Sequence, residues 1–277
     1  MSAPQAQARI AFSKAPSGVS YISEQRVGYP FHLGRTLKLP DDPKGMAAVY
    51  VQSCSGGIFA GQDLQMDLHA GPDSQVHVST GAATVAHSML EQSARQSVSL
   101  TAERGALLEY LPMATILFPQ AKLHSQVRVN LHAGARVMLC DAFCLHTPQD
   151  STGLFDFYRA DLQVRSPAGQ LLAGDRLALN GQDLLRQLPG VSDAYQTLAT
   201  FMLVGQGLPV QALKAALRHA LPAHPGSYLG ISALPNDCGV ALRIMTLDAV
   251  SLRNSLHKAW ACMREHLTGV APRIRRK

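Results

Sequence analysis

The feature that most constrains this chain is a long region in which apolar residues occupy alternate positions. Between about residues 18 and 179 the apolar side chains recur every second position, as in Leu64, Met66 and Leu68. That period places one side of each segment in a core and the other side in solvent, which is typical of β-strands. The sequence therefore predicts a β-rich body over most of the chain.

Turn clusters divide these strands at nearly regular intervals. Their glycines follow one another after 34, 29 and 35 residues, at Gly71, Gly105, Gly134 and Gly169. The segments that begin at two of them, GALLEYL and GARVMLC, are alike. A repeat of this length is typical of sheets built by stacking successive turns of the chain. We therefore expect a mainly β fold with a long layered or solenoid-like body.

Beyond about residue 190 the pattern predicts two helices near the C-terminus. Residues 210–221 lie between two prolines, which suit the two ends of a short helix. After Asp248, apolar residues recur at steps of three and four, and Gly269 is a typical stop signal. We expect one domain over residues 1–277, β-rich over about 18–190 and mixed strand and helix over about 191–277.

Charge and composition argue against several classes of protein. The formal net charge is +6, but four positive charges lie in the last five residues, at Arg273, Arg275, Arg276 and Lys277. Nucleic-acid binding needs basic residues spread along a face, so we do not expect it. The basic tail is either a solvated terminus or a segment that docks onto an acidic partner.

Targeting and cysteine content indicate a soluble cytoplasmic protein. The chain has no secretory segment at its start and no run of about 18 apolar residues, so we expect no membrane association. Its five cysteines are odd in number and scattered, which indicates reduced thiols. The five are Cys54, Cys140, Cys144, Cys238 and Cys262.

A search for chemistry assigns no catalytic residue. The chain lacks G-x-S-x-G, G-x-x-x-x-G-K-[ST], G-x-G-x-x-G and H-E-x-x-H, so we do not expect an enzyme. The C-D-x-x-C-x-H cluster from Cys140 to His146 is read either as a metal contact or as buried thiols on a strand. Four histidines fall on the polar side of strands and are expected to face solvent: His69, His77, His124 and His132.

Three segments resemble the UreD family of urease accessory proteins. The first is SGGIFAGQDLQMDLHAGPDSQVHVSTGAATVAHSM, residues 55–89, whose family-motif residues are Gly56, Gly57, Gly61, Thr80, Ala82, Ala83 and Thr84. The second is LEYLPMATILFPQA, residues 108–121, which contains Pro112. The third is the C-terminal stretch from residue 240 onward, which is similar to the family at Arg243, Trp260, Arg264, Gly269, Pro272, Arg273 and Ile274.

The resemblance implies a non-catalytic protein that assists nickel insertion into urease. Such a protein would bind apo-urease on one surface and a helical UreF-type accessory protein on another, with a UreG-type GTPase bringing the metal. Nickel would be in transit through an internal passage, and no cofactor would stay bound. Carboxylates and imidazole suit nickel, so the candidate transient contacts are Asp63, His87, Asp141 and Asp156.

The terminal helix is the candidate partner-binding region, through Trp260, Arg264 and Arg273. For Trp260 the alternative is that its ring packs the helix onto the β body.

The sequence also departs from the family pattern, which keeps two alternatives open. Gln62 stands where the family usually has an aspartate, with Asp63 displaced by one position. An expected G-R-x-A-x-G-E element is not recognisable in residues 147–157, where Asp156 stands in for its glutamate. A UreD-like β scaffold without a nickel role is one alternative. The other is a β-rich glycan-active enzyme, which would need two carboxylates roughly 5 to 10 Å apart.

Overall fold

Two facing β-sheets form the body of the protein in a computed structural model that describes residues 6–38, 41–146 and 153–273. Among these residues, sheet A has seven strands: β1 (Ala8–Lys14), β2 (Ser20–Val27), β5 (Asp63–Ala70), β8 (Ala94–Ala102), β11 (Lys122–Leu131), β13 (Phe157–Arg165) and β14 (Leu171–Leu179). Sheet B has ten in the same ranges: β3 (Phe31–Leu33), β4 (Ala47–Ser53), β6 (Gln75–Thr80), β7 (Thr84–Ala86), β9 (Leu107–Tyr110), β10 (Thr115–Leu117), β12 (Arg136–Leu145), β15 (Thr197–Val204), β16 (Ser227–Ala233) and β17 (Gly239–Thr246).

The chain alternates between the two sheets and stacks its coils in parallel. In sheet B, β4, β6, β9 and β12 are parallel neighbours, and in sheet A the parallel series is β1, β5, β8, β11 and β13. The register aligns Val49 with Val78, Val78 with Tyr110, and Tyr110 with Leu139. All four side chains lie in the core between the sheets. The repeat in the sequence is therefore one coil of a solenoid-like body, as predicted.

The turn glycines bring successive coils close together at one edge. Gly105 and Gly134 have φ values of +72° and +73°, which favour glycine, and the Gly105 amide donates to the Ala133 carbonyl at 3.3 Å. At Gly71 glycine is required for space rather than for a positive φ, because a Cβ there would lie 2.8 Å from the Phe12 carbonyl oxygen. The repeat spacing thus reflects close backbone approach between coils.

The C-terminal part extends sheet B and covers its outer face with helices. Strands β15, β17 and β16 continue from β12 as antiparallel neighbours. Helices α2 (Val210–Ala220) and α3 (Ala249–Thr268) pack on β15, β16 and β17 through an apolar cluster. Asp248 caps α3 by accepting from the Ser251 amide at 2.8 Å, and Gly269 ends it with φ of +73°. Both predicted helices are confirmed.

Strand β1 and a short helix after sheet A lie outside the predicted pattern. Strand β1 begins before residue 18, with three buried residues, and pairs in parallel with β5 and antiparallel with β2. The five-residue helix α1 (Gly181–Leu185) forms because Asn180 and Asp183 make a reciprocal capping box at its start. No helix in the described ranges is long and apolar enough to cross a membrane.

Candidate functional site

Three stacked coils of sheet B are interrupted at the same level. Residues 81–83 separate β6 from β7, and residues 111–114 separate β9 from β10. In the coil before them, residues 54–57 separate β4 from Ile58, which bridges to Ala86. Strand β12 is continuous, pairing with β9 up to Leu139 and with β10 from Phe143 onward. Asp141 therefore lies beside the gap.

These interruptions open a cavity of about 510 Å³ between the two sheets. Its sheet A wall is made by inward-facing side chains of β5, β8 and β11, including the polar Gln96 and Ser125. Its sheet B side contains seven of the eight motif residues from the first two segments that resemble the family: Gly56, Gly57, Thr80, Ala82, Ala83, Thr84 and Pro112. These seven motif residues and Asp141 thus line one cavity.

Gly57 shows why the first gap needs glycine. Its φ is +152°, and a Cβ would lie 2.5 Å from the Val85 carbonyl oxygen and 2.6 Å from His87 Nε2. Gly56 also has a positive φ, +78°, but a Cβ there would meet open space. Gly61, the remaining motif glycine, has a φ of +75° and lies outside the cavity lining.

Asp141 is the ionisable group at the inner wall of the cavity. Ser125 Oγ donates to its Oδ2 at 3.0 Å from the facing sheet, and the Tyr158 hydroxyl donates to its Oδ1. Burial raises the pKa of Asp141, the two hydrogen bonds oppose that rise, and the negative charge of Asp175 adds to it. The net effect is a pKa above the ordinary aspartate value.

Beyond Asp141 lies a second, small cavity of about 10 Å³. Its lining includes Asp141, Tyr158, Asp175 and Thr200, so Asp141 borders both cavities. Thr200 Oγ1 donates to Asp175 Oδ2 at 3.1 Å, and Arg243 Nη2 approaches the same oxygen at 2.5 Å. A row of polar groups thus leads from the large cavity towards Arg243, which is partly exposed.

The structure does not bring the four candidate nickel contacts together. Asp63 is exposed at the start of β5, and Asp156 is exposed with Lys122 Nζ 3.4 Å from its Oδ2. His87 is half-buried beside the cavity wall, where its ring stacks on Phe59 with 4.4 Å between centroids. In residues 6–38, 41–146 and 153–273, no three His, Cys, Asp or Glu side chains are placed to hold a metal ion together.

The cluster from Cys140 to His146 is also divided. Cys140 and Cys144 belong to the apolar core beneath the helices, whereas Asp141 points between the sheets. Alternation along β12 causes this separation. Both thiols are buried, which fits the interpretation of thiols packed on a strand, and burial raises the pKa of both, that of Cys144 to about 11.

A second ionic cluster joins α3 to the body. Glu109 of β9 is fully buried and accepts from Arg264 Nε at 2.8 Å and from Trp260 Nε1 at 3.0 Å. His77 Nδ1 lies 2.7 Å from Glu109 Oε2, and Arg264 Nη1 donates to Asp42 Oδ1 at 2.6 Å. Burial alone would raise the pKa of Glu109, but the hydrogen bonds from His77 and Arg264 lower it to about 2.

This cluster corrects two expectations. His77 does not face solvent, because the outer face of sheet B at β6 is covered by α3 rather than by water. Trp260 is 8% exposed and Arg264 is 0% exposed, so neither side chain presents a surface to a partner. The alternative interpretation of Trp260, packing of the helix onto the β body, fits its position.

The remaining C-terminal candidates differ in placement. Arg273 is 84% exposed and its Nε lies 3.2 Å from Asp41 Oδ1, so its side chain remains accessible to a partner. Ile274 and the three basic residues after it lie outside the described residues. Gln62, which replaces the family aspartate, has a local role, since its Oε1 accepts from the Phe59 amide at 2.9 Å.

Four residues of the polar row escaped the sequence analysis: Ser125, Tyr158, Asp175 and Thr200. Ser125 carries a signal that sequence reasoning can use, because it falls on the inward parity of β11 between Leu123 and Val127. A polar residue at such a position needs a hydrogen-bond partner in the interior. Its partner, Asp141, lies on the facing sheet and could not be found from spacing.

Comparison with known proteins gives this cavity its context. The family model described as UreD urease accessory protein matches residues 4–277. The chain belongs to the UreD family. It is 74% identical over 273 residues to urease accessory protein UreD 1 of Pseudomonas syringae pv. tomato, an alignment that covers 99% of this chain and 96% of the relative.

More distant UreD proteins match over nearly the same length. Urease accessory protein UreD 1 of Methylorubrum populi is 30% identical over 271 residues, which are 98% of this chain and 91% of the relative. Urease accessory protein UreD of Natronomonas pharaonis is 29% identical over 246 residues, which are 87% and 80% of the two chains. UreD proteins are accessory proteins, so the chain is not an enzyme and the glycan-active alternative is excluded.

Proposed function

We propose that this protein assists the insertion of nickel into apo-urease, with the cavity beside Asp141 as the place where the ion is handled. Support comes from one observation above all: seven of the eight motif residues in the first two segments line that cavity. If the cavity serves the function that UreD proteins share, the motif residues are expected to lie around it, as these seven do.

The ligand chemistry of the cavity suits an ion that is passed on. Nickel accepts carboxylate, imidazole and water, and Asp141 offers one carboxylate beside two hydroxyl groups. A site with one protein anion holds a hydrated divalent ion weakly, whereas a closed cage of several anions would retain it. Nickel is therefore cargo, and the protein needs no permanently bound cofactor.

The proposed passage runs from the large cavity past Asp141 to the small cavity and Arg243. Asp141 and Tyr158 lie between the two cavities, so transit requires their hydrogen bond to open. Of the other candidate contacts, His87 lies beside the cavity wall, and Asp63 and Asp156 lie on outer surfaces. In this proposal Asp141 is the transient ligand.

The proposed partners are apo-urease, a UreF-type accessory protein and, through the complex, a UreG-type GTPase, all in the cytoplasm. Relatives named urease accessory proteins support an association with urease and the other accessory proteins. Arg273 remains a candidate contact on the surface, since its side chain is exposed. Trp260 and Arg264 would contribute indirectly, by holding α3 in place.

Co-expression tests the role of the whole protein. Urease structural subunits and the other accessory proteins would be produced with and without this chain, and both nickel per urease active site and urea hydrolysis would be measured. We expect both to fall sharply when the chain is omitted. Full nickel loading without it would favour the alternative of a UreD-like scaffold without a nickel role, which the replacement at Gln62 keeps open.

A further inference from the structure

Three basic side chains form one row across the outer face of sheet A. The register places Arg95 of β8 opposite His124 of β11, and His124 opposite Arg159 of β13. Neighbouring strands lie about 4.8 Å apart, so the three side chains can reach a common ligand. Ser125, the next residue along β11, points inward to Asp141, which places the row on the opposite face from the cavity.

Phe157 holds two members of the row in position. The Arg159 guanidinium lies over its ring at 4.9 Å from the centroid, and the His124 ring meets it edge-on with 4.9 Å between centroids. A cation held on an aromatic face loses less conformational freedom when it binds an anion. Phe157 therefore holds Arg159 and His124 in position, and Arg95 lies beside His124 on the adjacent strand β8.

The two arginines of this row form no ion pair in the part of the chain that the structure describes. Within the described ranges, no carboxylate oxygen lies within 4.0 Å of an Arg95 or Arg159 nitrogen. The two guanidinium groups lie on strands separated by β11, and Asp63, which the register places opposite Arg95, forms no ion pair with it, so both groups remain available to an external anion. Burial, Arg159 and Arg95 together lower the pKa of His124, which is the response of an imidazole between two cations.

We propose that the Arg95, His124 and Arg159 row binds an acidic segment of a protein partner. Arginine matches carboxylate geometry with two parallel hydrogen bonds, and Ser97 and Gln126 in the next row supply neutral polar groups. Asp63 lies opposite Arg95 at one end of the row, and Asp161 lies opposite Gln126 in the next. These carboxylates confine the basic surface to a short length, which suits a short acidic segment better than a long phosphate backbone.

Binding of a fluorescent hexaglutamate peptide tests the proposal. Fluorescence anisotropy would compare the full-length protein, the variant R95Q/R159Q and the charge-matched control R218Q/R253Q. Arg218 and Arg253 are exposed on α2 and α3, away from sheet A. We expect the row variant to weaken binding at least tenfold and the control to change it less than twofold.

Several results would overturn the proposal. Equal weakening in both variants would show attraction to net charge only, and absence of binding by the unaltered protein would reject the site. Tighter, row-dependent binding of a DNA duplex or of phosphatidylserine vesicles would assign the row to phosphate instead. Thermal melts would verify that the variants fold, and the His124 ring signals in NMR spectra should shift with peptide in the unaltered protein.

Discussion

Two carboxylates on neighbouring strands of sheet B have opposite environments. Glu109 of β9 points towards α3, where His77 and Arg264 lower its pKa to about 2. Asp141 of β12 points into the space between the sheets, where burial raises its pKa and no cation lies within 4.0 Å among the described residues. Glu109 is expected to stabilise the fold, whereas ionised Asp141 is expected to cost stability.

Replacing Glu109 should be among the most damaging single changes at a polar residue. The variant Glu109→Gln leaves Asp42 as the one carboxylate paired with the buried Arg264 among the described residues, and we expect a loss of about 3 kcal/mol in the free energy of unfolding, measured by urea denaturation. The matched control is Glu24→Gln, whose pair with Arg9 is exposed. The control should cost no more than about 1 kcal/mol. A loss below 1 kcal/mol for Glu109→Gln would contradict this role.

The stability difference between the unaltered protein and Glu109→Gln should depend on pH. Because the folded pKa of Glu109 is lowered from 4.5 to about 2, its stabilising contribution is present above pH 4.5 and is lost as pH falls towards 2. The difference in unfolding free energy between the unaltered protein and Glu109→Gln should therefore shrink between pH 5 and pH 3. A difference that stayed constant over this interval would show that the ionised form is not what stabilises the cluster.

At Asp141 the contribution to stability is expected to change with pH in the opposite direction. Its raised pKa means that the folded state binds the proton more tightly than the unfolded state, so its contribution becomes less favourable as pH rises through the shifted value. The variant Asp141→Asn retains the shape and can still bond to Tyr158 and Ser125. Thermal melting at pH 7 should therefore show an unchanged or higher midpoint. A midpoint several degrees lower would identify Asp141 as a structural residue instead.

At the scale of elements, α3 depends on its contact with the body. Trp260 packs in the apolar cluster, stacks on His77 and bonds to Glu109. Trp260→Ala should lower the unfolding free energy by about 3–5 kcal/mol, whereas Val250→Ala, at a 57% exposed position on the same helix, should change it by about 0.5 kcal/mol or less. Partner affinity per folded molecule should stay the same. A Trp260→Ala protein that kept its stability but bound its partner more weakly would instead show that Trp260 contacts the partner directly.

At the scale of the whole molecule, local signals predicted the architecture well. Alternation and the glycine spacing predicted the stacked β body, and the capping residues Asp248 and Gly269 predicted both ends of α3. These features depend on neighbours in the sequence. The face on which a strand residue is buried depends on distant elements, which is why His77 was wrongly placed in solvent and Arg264 was wrongly placed at a surface.

In the candidate site, too, some features could be predicted from neighbours in the sequence and others depend on distant parts of the fold. The motif residues were found from the sequence, but the cavity they line exists only because three gaps coincide in adjacent coils. Asp141 was one of four candidates with equal standing, and its distinction from Asp63 and Asp156 comes from facing Ser125 and Tyr158 across the sheets. No spacing within the chain encodes that contact.

Nickel handling at the cavity is tested by comparing these three carboxylates in urease activation. Asp141→Ala, Asp63→Ala and Asp156→Ala would each replace the unaltered chain in the co-expression system, and nickel per urease active site would be measured in purified urease. We expect a loss of at least about tenfold for Asp141→Ala, with the protein still folded, and no change for the two outer-surface variants. Full nickel loading with Asp141→Ala, or an equal loss in all three variants, would contradict the assignment of nickel handling to this cavity.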